Sequence, residues 1–137
     1  MASGFTWSFN PQFAKEFARY PEDQQDKILD FTELVEEHGI IPGQYDKFPG
    51  KLCVSWRGLQ DTDPRYVYAT SHHLWHYHIG LPTYEQVHSG FKTSAWVLHF
   101  QYKKGTNHVH LADVYDHHTN DNKFYLPSLT YLNQDVG

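Results

Sequence analysis

With 137 residues and a formal charge of −5, the chain is one domain's worth of sequence, long enough to bury a core. Its 11 Lys and Arg stand against 16 carboxylates, which argues against binding nucleic acid by net charge, since that mode draws on basic residues. A lone cysteine, Cys53, excludes an internal disulfide and a Cys-based zinc cluster, and no apolar run approaches the roughly 20 residues of a membrane span.

Met1-Ala2-Ser3-Gly4 shows no basic stretch leading into an apolar one, so no signal peptide is expected. The single thiol fits a reducing compartment and reads as a small core residue of a strand. Charge is uneven. Eight of the acids fall between Glu16 and Glu37, whereas His72 to His118 holds only Glu85, Asp113 and Asp116 beside Lys92, Lys103 and Lys104.

Phe5-Thr6-Trp7-Ser8-Phe9 alternates apolar and polar and predicts a short strand. Asn10-Pro11 then has the form of an N-cap followed by proline at the first helical position, with Phe13, Phe17 and Tyr20 at helical spacing. Pro21 begins a second helix whose first turns hold Glu22, Asp23 and Asp26 and whose apolar face is Ile28, Phe31, Leu34 and Val35; His38-Gly39 closes it. Together they predict a helical hairpin.

Turn signals at Pro42-Gly43, Pro49-Gly50 and Asp61-Thr62-Asp63-Pro64 flank a possible strand, Leu52-Cys53-Val54-Ser55-Trp56. Pro64 to Ala69 fits a helical turn or a strand, and period does not separate the two. Strands are predicted near 73–80, 94–103 and 108–116, the last two joined by the Lys104-Gly105-Thr106-Asn107 turn, with 81–93 as a loop. Phe124 to Leu129 predicts a last short element on the sheet. The expected fold class is α+β, an N-terminal helical hairpin on a small antiparallel sheet, in a single domain.

All but one of the histidines lie between His72 and His118. On a strand, side chains two apart share a face, so Trp75, Tyr77 and Ile79 oppose His76 and His78. Likewise Trp96, Leu98, Phe100 and Tyr102 oppose His99, and Val109 and Leu111 oppose His108 and His110. If the apolar sides cover the helices, five histidines share one open face. Asp113 would then fall on the core side, which predicts a bulge or strand end near Ala112.

Imidazole transfers protons near neutral pH and binds metals. Metal-independent RNA cleavage needs a base, an acid and a cation for the phosphate charge. A His-ligated metal needs three ligands about one point, which His-x-His plus a neighbour would supply, although no H-E-x-x-H signature is present. Hydrogen-bonded surface or interface histidines are the plain alternative.

The stretches Leu74-Trp75-His76-Tyr77-His78-Ile79-Gly80-Leu81-Pro82-x-Tyr84, Thr93 to Phe100 and Leu111 to His117, set behind a strand and two helices, resemble the RelE/ParE superfamily of toxin–antitoxin toxins, in particular its YafO-related subgroup. The resemblance in organisation spans nearly the whole chain, and in motif roughly residues 74–118. It implies a RelE-like fold and a cytoplasmic toxin, usually an mRNA endoribonuclease working on or near the ribosome and neutralised by a small antitoxin protein; ParE-type relatives instead poison DNA gyrase. Typical RelE-like ribonucleases are basic and lean on Arg, Lys, Tyr or Glu, whereas this chain is acidic and offers mostly His. From the residues themselves, two of His76, His78, His99 and His110 are expected as general base and acid. Arg57 or Lys103 would meet the phosphate charge, Tyr84 would stack on a base, and His108 would contact substrate. No cofactor, metal or membrane is expected.

Overall fold

The computed structural model describes residues 3–81, 85–88, 91–93, 96–116 and 125–134, with the backbone path alone for 81, 85–88, 91–93 and 116. Strand β1 (Thr6–Phe9) leads into helix α1 (Pro11–Phe17). The Asn10 side-chain oxygen accepts from the backbone N–H groups of Gln12 and Phe13 at 2.9 and 3.3 Å, satisfying donors that the first helical turn leaves over. Helix α2 (Glu22–His38) places Glu22 and Asp23 in its first turn and ends at Gly39, whose φ is 70°. A Cβ there would meet the Phe5 ring at 2.7 Å, so glycine is required on both steric and conformational grounds.

After β2 (Leu52–Val54), residues Pro64–Ser71 form helix α3. Asp63 accepts from Arg65 N–H at 2.8 Å, so Asp63-Pro64 repeats the cap-and-proline grammar of Asn10-Pro11. Strands β3 (Leu74–Leu81), β6 (Trp96–Gln101) and β7 (His108–Asp116) follow. The stretch 81–93, expected as a loop, carries β4 (Glu85–His88) and β5 (Phe91–Thr93), paired antiparallel as a separate two-stranded sheet.

The main sheet has the order β1-β7-β6-β3-β2. It is mixed rather than antiparallel, because β1 runs parallel to β7. Hairpin turns fix the relative direction of β6 and β7 but not that of β1, which reaches its neighbour across almost the whole chain. Helix α2 lies over β1 and β3, and α1 over β7 and a 3-10 turn at Leu129–Tyr131. Phe13, Ile28, Phe31 and Val35 from the helices bury against Trp75, Tyr77, Ile79, Leu98, Phe100, Val109 and Leu111. Phe31 sits 4.9 Å from Tyr77 and 5.3 Å from Phe100, ring to ring. The expected apolar face is therefore the helix-covered one, except that Trp96, at the start of β6, is 39% exposed and lies outside this core.

The opposite face is not open. Leu74 and Ala112 pack there with Ala69 of α3 and Leu132, flanked by Trp56, Tyr68, Leu126 and Tyr131. The C-terminal chain from Tyr125 to Asn133 thus crosses the histidine side as a strap. Phe124, with which the last element was expected to begin, lies outside the described residues.

Candidate functional site

Strand register sets the histidines in rows. Cys53, His76, His99 and Asp113 are successive partners across β2, β3, β6 and β7. His78, Val97 and Tyr115 form the next row on one side, and Leu74, Gln101, His110 and Ser8 that on the other. Asp113 joins this face through a bulge: His99 faces Asp113 but Phe100 faces Leu111, so Ala112 is the extra residue. A bulge adds one residue and resets the alternation beyond it, turning a carboxyl that strict alternation assigns to the core toward the histidines.

These side chains are interior. His99 is 0% exposed, Asp113 4%, His78 6% and His76 7%. The Asp113 carboxylate accepts from the Tyr125 hydroxyl at 2.6 Å and from Val114 N–H at 2.9 Å. Burial pushes its pKa up to about 6; those two donors pull it back, and the charge of Glu16 adds to the rise. The Tyr125 hydroxyl is itself raised, first by burial and then by the hydrogen bond to Asp113. Its ring lies 5.3 Å from that of His99, and His99 lies 6.2 Å from His76.

At the β2–β3 end, Ser55 Oγ is 3.1 Å from His76 Nδ1, and the rings of His76 and His78 are 5.6 Å apart. Exposed Arg57 reaches back with Nη1 to Cys53 Sγ at 3.6 Å. Cys53 is the direct cross-strand partner of His76, so the guanidinium stands beside the imidazole row. The buried thiol fills the role of small strand residue expected of it.

His108 and His110 form a separate, half-buried pair with rings 4.5 Å apart. Thr6 Oγ1 meets His108 Nδ1 at 2.6 Å, and Ser8 Oγ meets its Nε2 at 2.9 Å. Asn133 Nδ2 lies 2.8 Å from His110 Nδ1. The direction of that bond follows from the α1 cap. Asn10 Oδ1 is held as an acceptor by two backbone N–H groups, so Asn10 Nδ2 donates to Asn133 Oδ1 at 3.1 Å. Asn133 therefore presents its NH2 to His110, whose Nδ1 accepts, and neutral His110 carries its proton on Nε2.

The structure thus brings His76, His78 and His99 together, with Arg57 at the margin, and sets His108 and His110 apart. Exposed Lys103 lies past the end of β6, four residues beyond His99 in the chain. It acts on His73, whose pKa is lowered by burial and then by the charges of Lys103 and His72. Tyr84 lies outside the described residues. Among the described residues no group of three or more His, Cys, Asp or Glu is placed to hold a metal ion. Asp113, Ser55, Tyr125 and Asn133 were not singled out as site residues by sequence reasoning. Only Asp113 left a signal, by breaking the alternation.

Fold and site together define an α+β protein whose mixed sheet buries a row of titratable groups on one face. Comparison with protein-family models, curated proteins and solved structures finds no match to the chain. Among the described residues no helix is long and apolar enough to cross a membrane.

Proposed function

We propose that the chain is a RelE/ParE-like toxin that cleaves RNA without a metal, with a small antitoxin protein as partner and RNA, including ribosome-bound mRNA, as target. The strand–helix–helix–sheet order and a helical hairpin on the sheet belong to that reading. The observation that carries it is the grouping of His76 and His78, rings 5.6 Å apart, with the Arg57 guanidinium on the adjoining β2 margin. It supplies the two proton-transfer groups and the cation that transesterification of RNA requires.

One imidazole takes the 2′-hydroxyl proton as that oxygen bonds to phosphorus. The P–O5′ bond breaks, and the other imidazole gives its proton to the departing 5′-oxygen, leaving a 2′,3′-cyclic phosphate. Arg57 meets the charge that builds on the non-bridging oxygens. Ser55 orients His76 through Nδ1, which assigns Nε2 to proton transfer. Fully buried His99 does not touch substrate; with Asp113 and Tyr125 it is a positioning group. His76 and His78 are 7% and 6% exposed, so contact with RNA requires the site to open, and RNA or ribosome binding is the source of free energy for that step.

The test uses EDTA-treated protein on single-stranded RNA and on translating ribosomes. Wild type should leave 2′,3′-cyclic phosphate ends, and His76→Ala and His78→Ala should each slow cleavage by roughly 100-fold or more. Absence of cleavage by folded wild type in both settings refutes the reading. Toxicity without RNA loss would point to a protein target such as DNA gyrase, and dependence on stoichiometric bound metal to a His-ligated metalloprotein.

A further inference from the structure

Outside the histidine row, a shallow, largely open depression of about 670 Å³ lies between the start of α1 and the C-terminal strap. That volume lies within the range of small-molecule sites. Its walls carry the carboxamides of Asn10, Gln12, Asn133 and Gln134 with the Lys15 ammonium, and Phe9, Pro11 and Leu132 supply apolar surface.

Hydrogen-bond accounting gives the depression its chemical preference. Each carboxamide NH2 has two hydrogens. Asn10 Nδ2 gives one to Asn133, Asn133 Nδ2 one to His110, and Gln12 Nε2 one to Glu16 Oε2 at 2.9 Å. A second hydrogen of each remains for a ligand. The neighbouring carboxylate, Glu16, is engaged by Gln12 and by the Tyr131 hydroxyl at 2.7 Å. The lining thus combines N–H donors and one positive charge with the acceptors Gln12 Oε1, Gln134 Oε1 and the Thr130 hydroxyl, beside the apolar surface of Phe9, Pro11 and Leu132. That pattern complements a flat ring bearing carbonyl and ring-nitrogen acceptors, joined to an anionic group. Carboxamides read nucleobase edges in this manner, and lysine meets phosphate.

We propose that this depression is a nucleotide subsite, holding one unstacked base against the Asn10, Gln12 and Asn133 amides with its phosphate on Lys15. This inference rests on the reading of the chain as an RNA-binding protein and adds where a base is held. The depression communicates with the half-buried histidine pair through a single residue, since Asn133 lines the one and bonds to His110 of the other.

The experiment is a titration followed by the side-chain NH2 resonances of Asn10, Gln12, Asn133 and Gln134. The probes are the four nucleoside 5′-monophosphates, inorganic phosphate, and a short single-stranded oligoribonucleotide. The inference expects saturable shifts in these resonances with at least one monophosphate, at an affinity at least tenfold above that for inorganic phosphate. Lys15→Gln should weaken that binding about fivefold while leaving the amide pattern of the folded protein intact. Equal response to phosphate alone, or no response to any nucleotide, overturns it. Tighter binding of the oligoribonucleotide than of the monophosphates identifies a strand as the ligand, and equal binding a free nucleotide. Nucleotide binding without RNA cleavage would refute the nuclease and leave the subsite standing. Cleavage unaltered by Lys15→Gln, with no shift at the amides, would refute the subsite alone.

Discussion

On one face of the sheet Trp75, Tyr77 and Phe100 pack beneath α2; on the other, one position along the same strands, His76 and His99 are buried to a similar depth. The first face needs no further explanation, because removing aromatic surface from water is what stabilises a fold of this size. The second is different. Titratable groups lose hydration when buried, and for Asp113 the bonds from Tyr125 and Val114 return only part of it, since its pKa stays raised. Burial on the helix side is a source of stability, whereas burial on the histidine side draws on it, and groups held at such a cost mark a candidate site.

The largest expected effect tests the helix side. Phe100→Ala removes a fully buried ring that packs on Phe31 and Trp75, and denaturant unfolding should show a loss of about 3–5 kcal/mol. A loss below roughly 1 kcal/mol would break the contrast between the faces.

Next comes the carboxyl of the histidine side. The Asp113 pKa is raised from 3.8 to about 6, so between these values the folded chain holds that proton more tightly than the unfolded chain. Its contribution is therefore most favourable below pH 4, declines as pH rises through the window, and is least favourable above pH 6. Asp113→Asn removes this slope. The stability difference between wild type and variant should change by about 2–3 kcal/mol from pH 4 to pH 7, in the direction that favours the variant at the higher pH. Parallel stability curves would show that the carboxyl is not strained by burial.

Asn10→Ala should cost about 1–2 kcal/mol through the lost helix cap. It also frees Asn133 to turn, so the imidazole nitrogen spectrum of His110 should lose its preference for the Nε2–H tautomer. An unchanged tautomer would detach the histidine pair from the α1 cap. The smallest effect belongs to Lys103→Gln, an exposed residue past the end of β6. Stability should change by less than about 0.5 kcal/mol, and the rate of RNA cleavage should stay within twofold of wild type, marking Lys103 as outside the site.

Much of the architecture was legible because its signals are local. Asn10-Pro11 and His38-Gly39 mark helix ends through backbone chemistry that depends on a few neighbouring residues, and both ends fall where the pattern puts them. Asp63-Pro64 carried the same message, and weighing it as a cap would have settled α3. The parallel pairing of β1 with β7 had no local signal, since it joins Thr6 to His108 across most of the chain. The site was legible to the extent that alternation holds. It assigned His76, His78 and His99 to one face, and the break at Ala112 marked the bulge that swings Asp113 toward them.

By itself, then, the sequence determined the helix caps, the strand periods and the separation of histidines from aromatics, all of which follow from backbone geometry repeated every two or every 3.6 residues. Tertiary structure alone decided that the histidine face is covered, that Arg57 reaches Cys53, the cross-strand partner of His76, while Lys103 acts on His73, and that a helix cap orients His110 through Asn133. Those outcomes depend on which distant segments meet, and no local period encodes a contact between residues 10 and 133.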